Sequence, residues 1–527
     1  MTNLGAIQPF AFAPQGRVQP SPTAPIQDPA FKGNDIAVMS SQSIKLDESG
    51  LYEPPVKRSY QHVLSSDAPD KLTAQLSNQL QHTQRGRAVN NLSQNMTAFL
   101  ANGTQSTRQA VNNYEYYDVS GGRQSIDPTT FEANYVQVDA SLALEFKTKD
   151  GDVVTFKFSQ HTANGTAEGA TGGVQRRGLD VSYQVEGKLS QSEQEELADF
   201  AENLNLLANQ YFQGGKFDLG QLKLGELNHL GELSLSMDRG LKNGVNLKVT
   251  DTENSRNIEG VIQGNVLQLT LDKTGLLASA DADRRAAAVA HYRQMMLDGV
   301  QRAKGQSDQR DLLLDAFDAL HQLTDKETEY FGAGSKAYEA EMLTGLADFT
   351  VEFDGRVQRA NTDPRRLDQE EKFSLSLAQQ SEVFIKDSMN RSVEQRQLWS
   401  LDASYFKPLD HLDEVDFENQ NYQYFTLSEQ AETRTQVNTV DGEVTASQER
   451  SFNSQFDSRE YNDGILVDWQ TTLKREHELL DFTEQLNSDK YSLNPIELRE
   501  LLLNPTQMNS GAYLKVIDHD VSNGLEG

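Results

Sequence analysis

The stretch LALEFKTKDGDVVTFKF, residues 142–158, decides how the chain is read. Leu142, Leu144 and Phe146 alternate with Ala143, Glu145 and Lys147; Val154, Phe156 and Phe158 alternate with Thr155 and Lys157. A two-residue period belongs to strands with one buried face. Register then selects the turn. A two-residue Asp150-Gly151 loop would set Phe146 opposite Thr155 and send the two apolar sets to opposite faces. A three-residue Lys149-Asp150-Gly151 loop sets Phe146 opposite Val154, Leu144 opposite Phe156 and Leu142 opposite Phe158, so that all six share a face. That loop ends in a left-handed residue, which glycine at 151 adopts without steric cost. Asp150 therefore has a turn role. Two acids, Asp150 and Asp152, fall short of the six or more oxygens that calcium takes.

Outward from this hairpin, a polar Gly-rich loop covers about 160–178, and Val181, Tyr183 and Val185 alternate in a further strand. A helix follows. Ser190 with Glu193 forms a capping box, acids crowd the first turns, and Gly214-Gly215 ends the helix. Leu197, Phe200, Ala201, Leu204, Leu207, Ala208 and Tyr211 make one apolar face. Each large side chain buried there contributes about 1.5–3 kcal/mol, so this face is expected to pack on the hairpin. The leucines between 219 and 235 predict a short helix running into a strand.

Further helices are expected over 84–101, where Val89, Leu92, Met96 and Phe99 recur at helical spacing, and over 281–303, 309–323, 467–487 and 495–503, the last opened by Pro495. Strands are expected over 346–353, 373–385 and 433–456, with a turn at Val440-Asp441-Gly442. Residues 1–70, rich in Pro, Gln, Ser and Asp, read as a disordered arm. The expectation is an α+β fold of antiparallel hairpins packed on amphipathic helices. It divides into the disordered arm 1–70, a unit over 71–345, and a second β-rich unit with a helical tail over 346–527.

Composition narrows the function. Of 527 residues, 78 are acidic and 48 basic, a net charge of −30, and such a surface repels nucleic-acid phosphates and anionic headgroups. With no cysteine, thiolate nucleophiles and Cys-ligated zinc are excluded. No apolar run suffices to cross a bilayer, and the N-terminus lacks a basic-then-apolar signal pattern. The expected location is the cytoplasm, or outside the cell by a route without a cleaved secretory signal. The expected partner is a protein, with no nucleic acid and no membrane insertion.

The order of the Asp150-Gly151-Asp152 hairpin, a strand ending in glycine, and a capped acidic helix ending in Tyr211-Phe212-Gln213-Gly214 resembles a group of uncharacterised proteobacterial proteins. Leu189-Ser190 and Glu196-Leu197 match as well. The resemblance covers about 140–240, and Gly215-Lys216 stands where the group has an acid. It implies a bacterial origin and a non-enzymatic module, and it carries over no catalytic residue.

The histidine of His477-Glu478 begins like a zinc-binding helix, but Asp481 stands where the second histidine belongs, so a solvated helix face is expected there. Asp410, Asp413 and Asp416, with His411 and Glu418 nearby, are the densest acidic group. On a helix these carboxylates would share a side and repel unless a cation lay between them. They are the candidate calcium ligands; a solvated loop is the plainer reading, with no cofactor. Trp399, Tyr405, Phe406, Tyr422, Tyr424 and Phe425 flank them and could line a sugar site. The leading expectation is a non-catalytic bacterial structural or protein-interaction protein of the cell surface or an appendage. The alternatives are a carbohydrate-active hydrolase using 399–425 and a calcium-stabilised exported module.

Overall fold

In a computed structural model of the chain, Leu142 pairs with Phe158, Leu144 with Phe156 and Phe146 with Val154. The Thr148 amide donates to Asp152 O and the Gly151 amide to Thr148 O, closing the loop over Lys149-Asp150-Gly151. Gly151 has φ +98°. The side-chain pattern and the turn thus agree on one register. The structure describes residues 37–40, 57–66, 106–118, 126–170, 172–240, 244–274, 278–279, 281–323, 339, 342–356, 363–387, 389–409, 415 and 417–483.

The hairpin belongs to an antiparallel sheet that has 16 strands among the described residues. Its first part comprises β1 (Ala37–Ser40), β2 (Lys57–Ser66), β3 (Ser106–Asp118), β4 (Glu132–Thr148), β5 (Val153–Thr166) and β6 (Val174–Glu186). The middle holds β7 (Leu230–Asp238), β8 (Val245–Asp251), β9 (Ser255–Ile262), β10 (Asn265–Asp272) and β11 (Phe349–Asp354). The last part holds β12 (Lys372–Asp387), β13 (Asn390–Pro408), β14 (Tyr422–Val440), β15 (Glu443–Asn462) and β16 (Ile465–Asp481). From β7 onward neighbours in sequence are neighbours in space; before it the order is β1-β2-β3-β6-β5-β4-β7, a Greek-key departure from the meander.

Among the described residues three α-helices lie against the sheet: α1 (Gln191–Gly214), α2 (Ala282–Arg302) and α3 (Ser307–His321). Ser190 and Glu193 form the reciprocal capping box, and Gly215 ends α1 in the left-handed conformation. The apolar face of α1 meets the hairpin, with Phe200 and Phe146 ring centroids 5.7 Å apart. Tyr292 of α2 and Phe317 of α3 close edge-on over Phe349. One hydrophobic core runs under all three helices, from Val111 of β3 to Leu427 of β14. Beside it, Asp251 is held by Arg256 and Lys273, and Arg256 also donates to the Ala319 and Gln322 carbonyls. This places a cation at the C-terminal end of α3, where the helix dipole favours one.

The expected α+β class is corrected by this arrangement. The molecule is mainly one antiparallel sheet, and the helices cover part of one face. Two local expectations change with it. Residues 465–481 form β16, not a helix, because pairing along β15 overrides the helix-forming residues Leu473–Leu480. Within the arm read as disordered, β1 and β2 join the sheet beside β3. The expected helices at 84–101 and 495–503 lie outside the described residues. The helices at 281–303 and 309–323 and the strands at 346–353 and 373–385 stand within a few residues of their expected places. The leucine run opens with the 3-10 turns Leu219–Leu222 and Leu224–Glu226 before β7.

Candidate functional site

The candidate calcium ligands Asp410, Asp413 and Asp416 lie outside the described residues, as does His411. Among the described residues no group of three or more His, Asp or Glu side chains is placed to hold a metal ion. Asp152 accepts the Lys188 amide at 3.1 Å and so serves the hairpin. His477 sits on β16, with Nε2 2.8 Å from Glu449 Oε1 across the strand pair, and not on a helix face.

The aromatics of 399–425 have structural places. Trp399 lies buried against Gly299 of α2, so close that a Cβ at 299 would stand 2.6 Å from its ring. Phe406, Tyr422, Tyr424 and Tyr461 form a separate buried cluster, on which Val415, Phe417 and Leu466 pack. Tyr405, Phe425 and Phe456 stack in a half-buried row across β13, β14 and β15, with centroids 5.0 and 5.6 Å apart.

A polar network underlies the aromatic cluster. Asp363 is fully buried. Its Oδ2 lies 2.7 Å from the Tyr422 hydroxyl, and its Oδ1 accepts Gln420 Nε2 at 3.0 Å and the Arg365 amide at 2.9 Å. Gln369 Oε1 lies 2.9 Å from the same hydroxyl, and Gln369 Nε2 donates to the Tyr461 hydroxyl at 2.8 Å. The Arg366 guanidinium stacks 4.2 Å above the Tyr461 ring. Burial pushes the Asp363 carboxyl up, but the bonds from Tyr422, the Arg365 amide and Gln420, with the Arg366 charge, hold it below the usual carboxylate range. Burial and the Asp363 carboxylate together raise the Tyr422 phenol. A carboxylate kept ionised and a phenol kept protonated, each already hydrogen-bonded, fasten the 363–370 loop to the ends of β14 and β15. They offer no group poised to take or give a proton near neutral pH.

Beside this cluster the described sheet ends at β16, which pairs with β15 on one side and, among the described residues, with no strand on the other. Ile465, Val467, Trp469, Leu473 and Leu479 are exposed along it, and Ile465 and Leu479 each keep 67% of their surface accessible. Trp469 is braced by Arg459, whose guanidinium lies 5.0 Å over its ring. The ladder between β15 and β16 shifts register between Glu460 and Tyr461, so the edge is regular from Asp468 onward. An edge strand offers unpaired backbone N–H and C=O groups to any further strand. Apolar side chains beside those groups give such an addition area to bury. From the sequence a helix is expected over 467–487, which takes in this edge from Val467 onward. The signal that marks the strand is the two-residue spacing Ile465, Val467, Trp469, Thr471, Leu473, which the strong helix formers after it obscure.

Compared with known proteins, the chain matches no family model, no curated protein and no solved structure.

Proposed function

We propose that the chain is a non-catalytic bacterial protein-interaction module that recruits an extended partner segment along β16. The observation that carries this reading is the β16 edge, which pairs with no further strand among the described residues and carries exposed apolar side chains. The acidic surface favours a protein partner over nucleic acid or an anionic membrane. The resemblance of 140–240 to a group of uncharacterised proteobacterial proteins, which implies a non-enzymatic module, points the same way. The burial of Trp399, Phe406, Tyr422 and Tyr424 takes these rings away from any sugar-binding surface.

The test compares the full chain with a Trp469→Lys/Leu473→Lys variant as baits in extract of the source organism. The variant keeps the β15 pairing but places charge along the open edge. Proteins recovered by the wild type and lost by the variant support the reading. Identical recovery by both sinks it.

A further inference from the structure

We infer that the segment added to β16 is β16 of a second copy, in an antiparallel pair centred on Thr471. The inference rests on the reading of β16 as the interaction edge. A two-fold axis normal to an antiparallel sheet passes between two copies of the same residue, so one central residue defines each register. Centring on Thr471 sets Asp468 of each copy opposite Lys474 of the other and Trp469 opposite Leu473. Gln470 then meets Thr472, Val467 meets Arg475, and no like charges face each other.

Neighbouring registers are worse. Centring on Thr472 puts Asp468 opposite Glu476, and centring on Leu473 puts it opposite Glu478. Centring on Lys474 apposes two ammonium groups, and centring on Gln470 leaves both Asp468 and Lys474 without a charged partner. Directly opposed side chains in an antiparallel pair are close enough for these differences to count. Neither Asp468 nor Lys474 forms an ion pair within its own chain among the described residues; Asp468 accepts only from Gln470, at 2.9 Å. Trp469 and Leu473, both exposed here, would cover each other twice across the axis. Pairing joins the two sheets into one and removes the open edge from both.

The absence of cysteine gives a direct test. Opposed residues in an antiparallel pair have Cα atoms about 4.5–5.5 Å apart, within disulfide reach. The full-length Thr471→Cys variant should therefore form an interchain disulfide under mild oxidation, whereas Leu479→Cys, which this register sets beyond the partner's strand, should not. Sedimentation of the unmodified chain should show a monomer–dimer equilibrium. Asp468→Lys and Lys474→Glu should each weaken it about tenfold, and an equimolar mixture of the two variants should recover it, because each then meets its opposite charge. A chain that stays monomeric at all concentrations overturns the inference, yet leaves the interaction reading to the extract comparison. A dimer indifferent to both charge reversals, or one linked equally through 471 and 479, overturns this pairing as well.

Discussion

Gly151 shows how much one residue can decide. Its φ of +98° lies where a side chain is strained, and a Cβ built there meets nothing within 4 Å. Gly151→Val should therefore cost about 1–2 kcal/mol through backbone conformation alone; an unchanged denaturation midpoint would show that the turn carries no such strain. Asp315 of α3 makes a different kind of prediction. Burial first, then the neighbouring Asp218, raises its carboxyl to about 6, against the bond from the Gly220 amide, with Asp311 and Asp318 adding to the rise. A carboxyl raised on folding gives stability that is full below its unfolded value near 4 and lost as pH climbs through 6. Asp315→Asn cannot ionise, so its melting temperature relative to wild type should rise between pH 4 and pH 7. A difference flat across that range would contradict the assignment. Gly151 was legible in the sequence because its constraint is local. The bond between Asp363 and Tyr422 was not, because 59 residues separate the partners and neither carries a local signature.

Elements followed their own patterns where burial is one-sided and apolar. The α1 helix shows capping box, apolar face and glycine stop in sequence and in structure. Ser190 bonds the Glu193 amide while Glu193 Oε2 accepts the Ser190 amide at 2.7 Å. Ser190→Ala should lower stability by about 0.5–2 kcal/mol, read from chemical denaturation; no loss would mean that packing alone holds the first turn. The turns Gln263-Gly264, Asp441-Gly442 and Asp463-Gly464 all have positive φ at both residues, the two-residue hairpin geometry, and only the second is among the turns expected from the sequence. The strands beside them were harder to see. The inward positions Gln395, Gln397, Thr433, Thr435 and Gln448 are polar yet buried, so β13, β14 and β15 show little apolar alternation over those stretches. In β16 the helix formers of 473–480 masked a strand whose hydrogen-bonding partner lies on β15.

Across the whole molecule the sheet is unevenly covered. Strands β4 to β7 lie beneath α1 with Leu142, Leu144, Phe146, Phe156 and Leu233 buried, whereas most of β16 is exposed. Amide exchange should therefore be slowest in β4, β5 and β7 and fastest, among the strands from β4 onward, in β16. Comparable protection along β16 in dilute protein would mean that its edge is covered. The sequence contained the hairpin, the main helices and their contact. It did not contain the union of all strands in one sheet, because that union depends on pairings between polar strands whose partners no local period announces.

The strand order at the N-terminal end has a bearing on synthesis. β3 leaves the ribosome before β4 and β5, yet on the side away from β2 its neighbour in the sheet is β6. At translation rates of about 5–20 residues per second it must wait on the order of seconds for β6. The nascent β4-β5 hairpin can close during that interval, since its strands are joined by a short turn. β1 and β2 pair with β3 in order of emergence, and the three reach the rest of the sheet only through the contact of β3 with β6. The attachment of these three strands to the rest of the sheet is thus the last pairing of this region, and a nascent-chain stall before Val174 would leave β3 without its β6 partner.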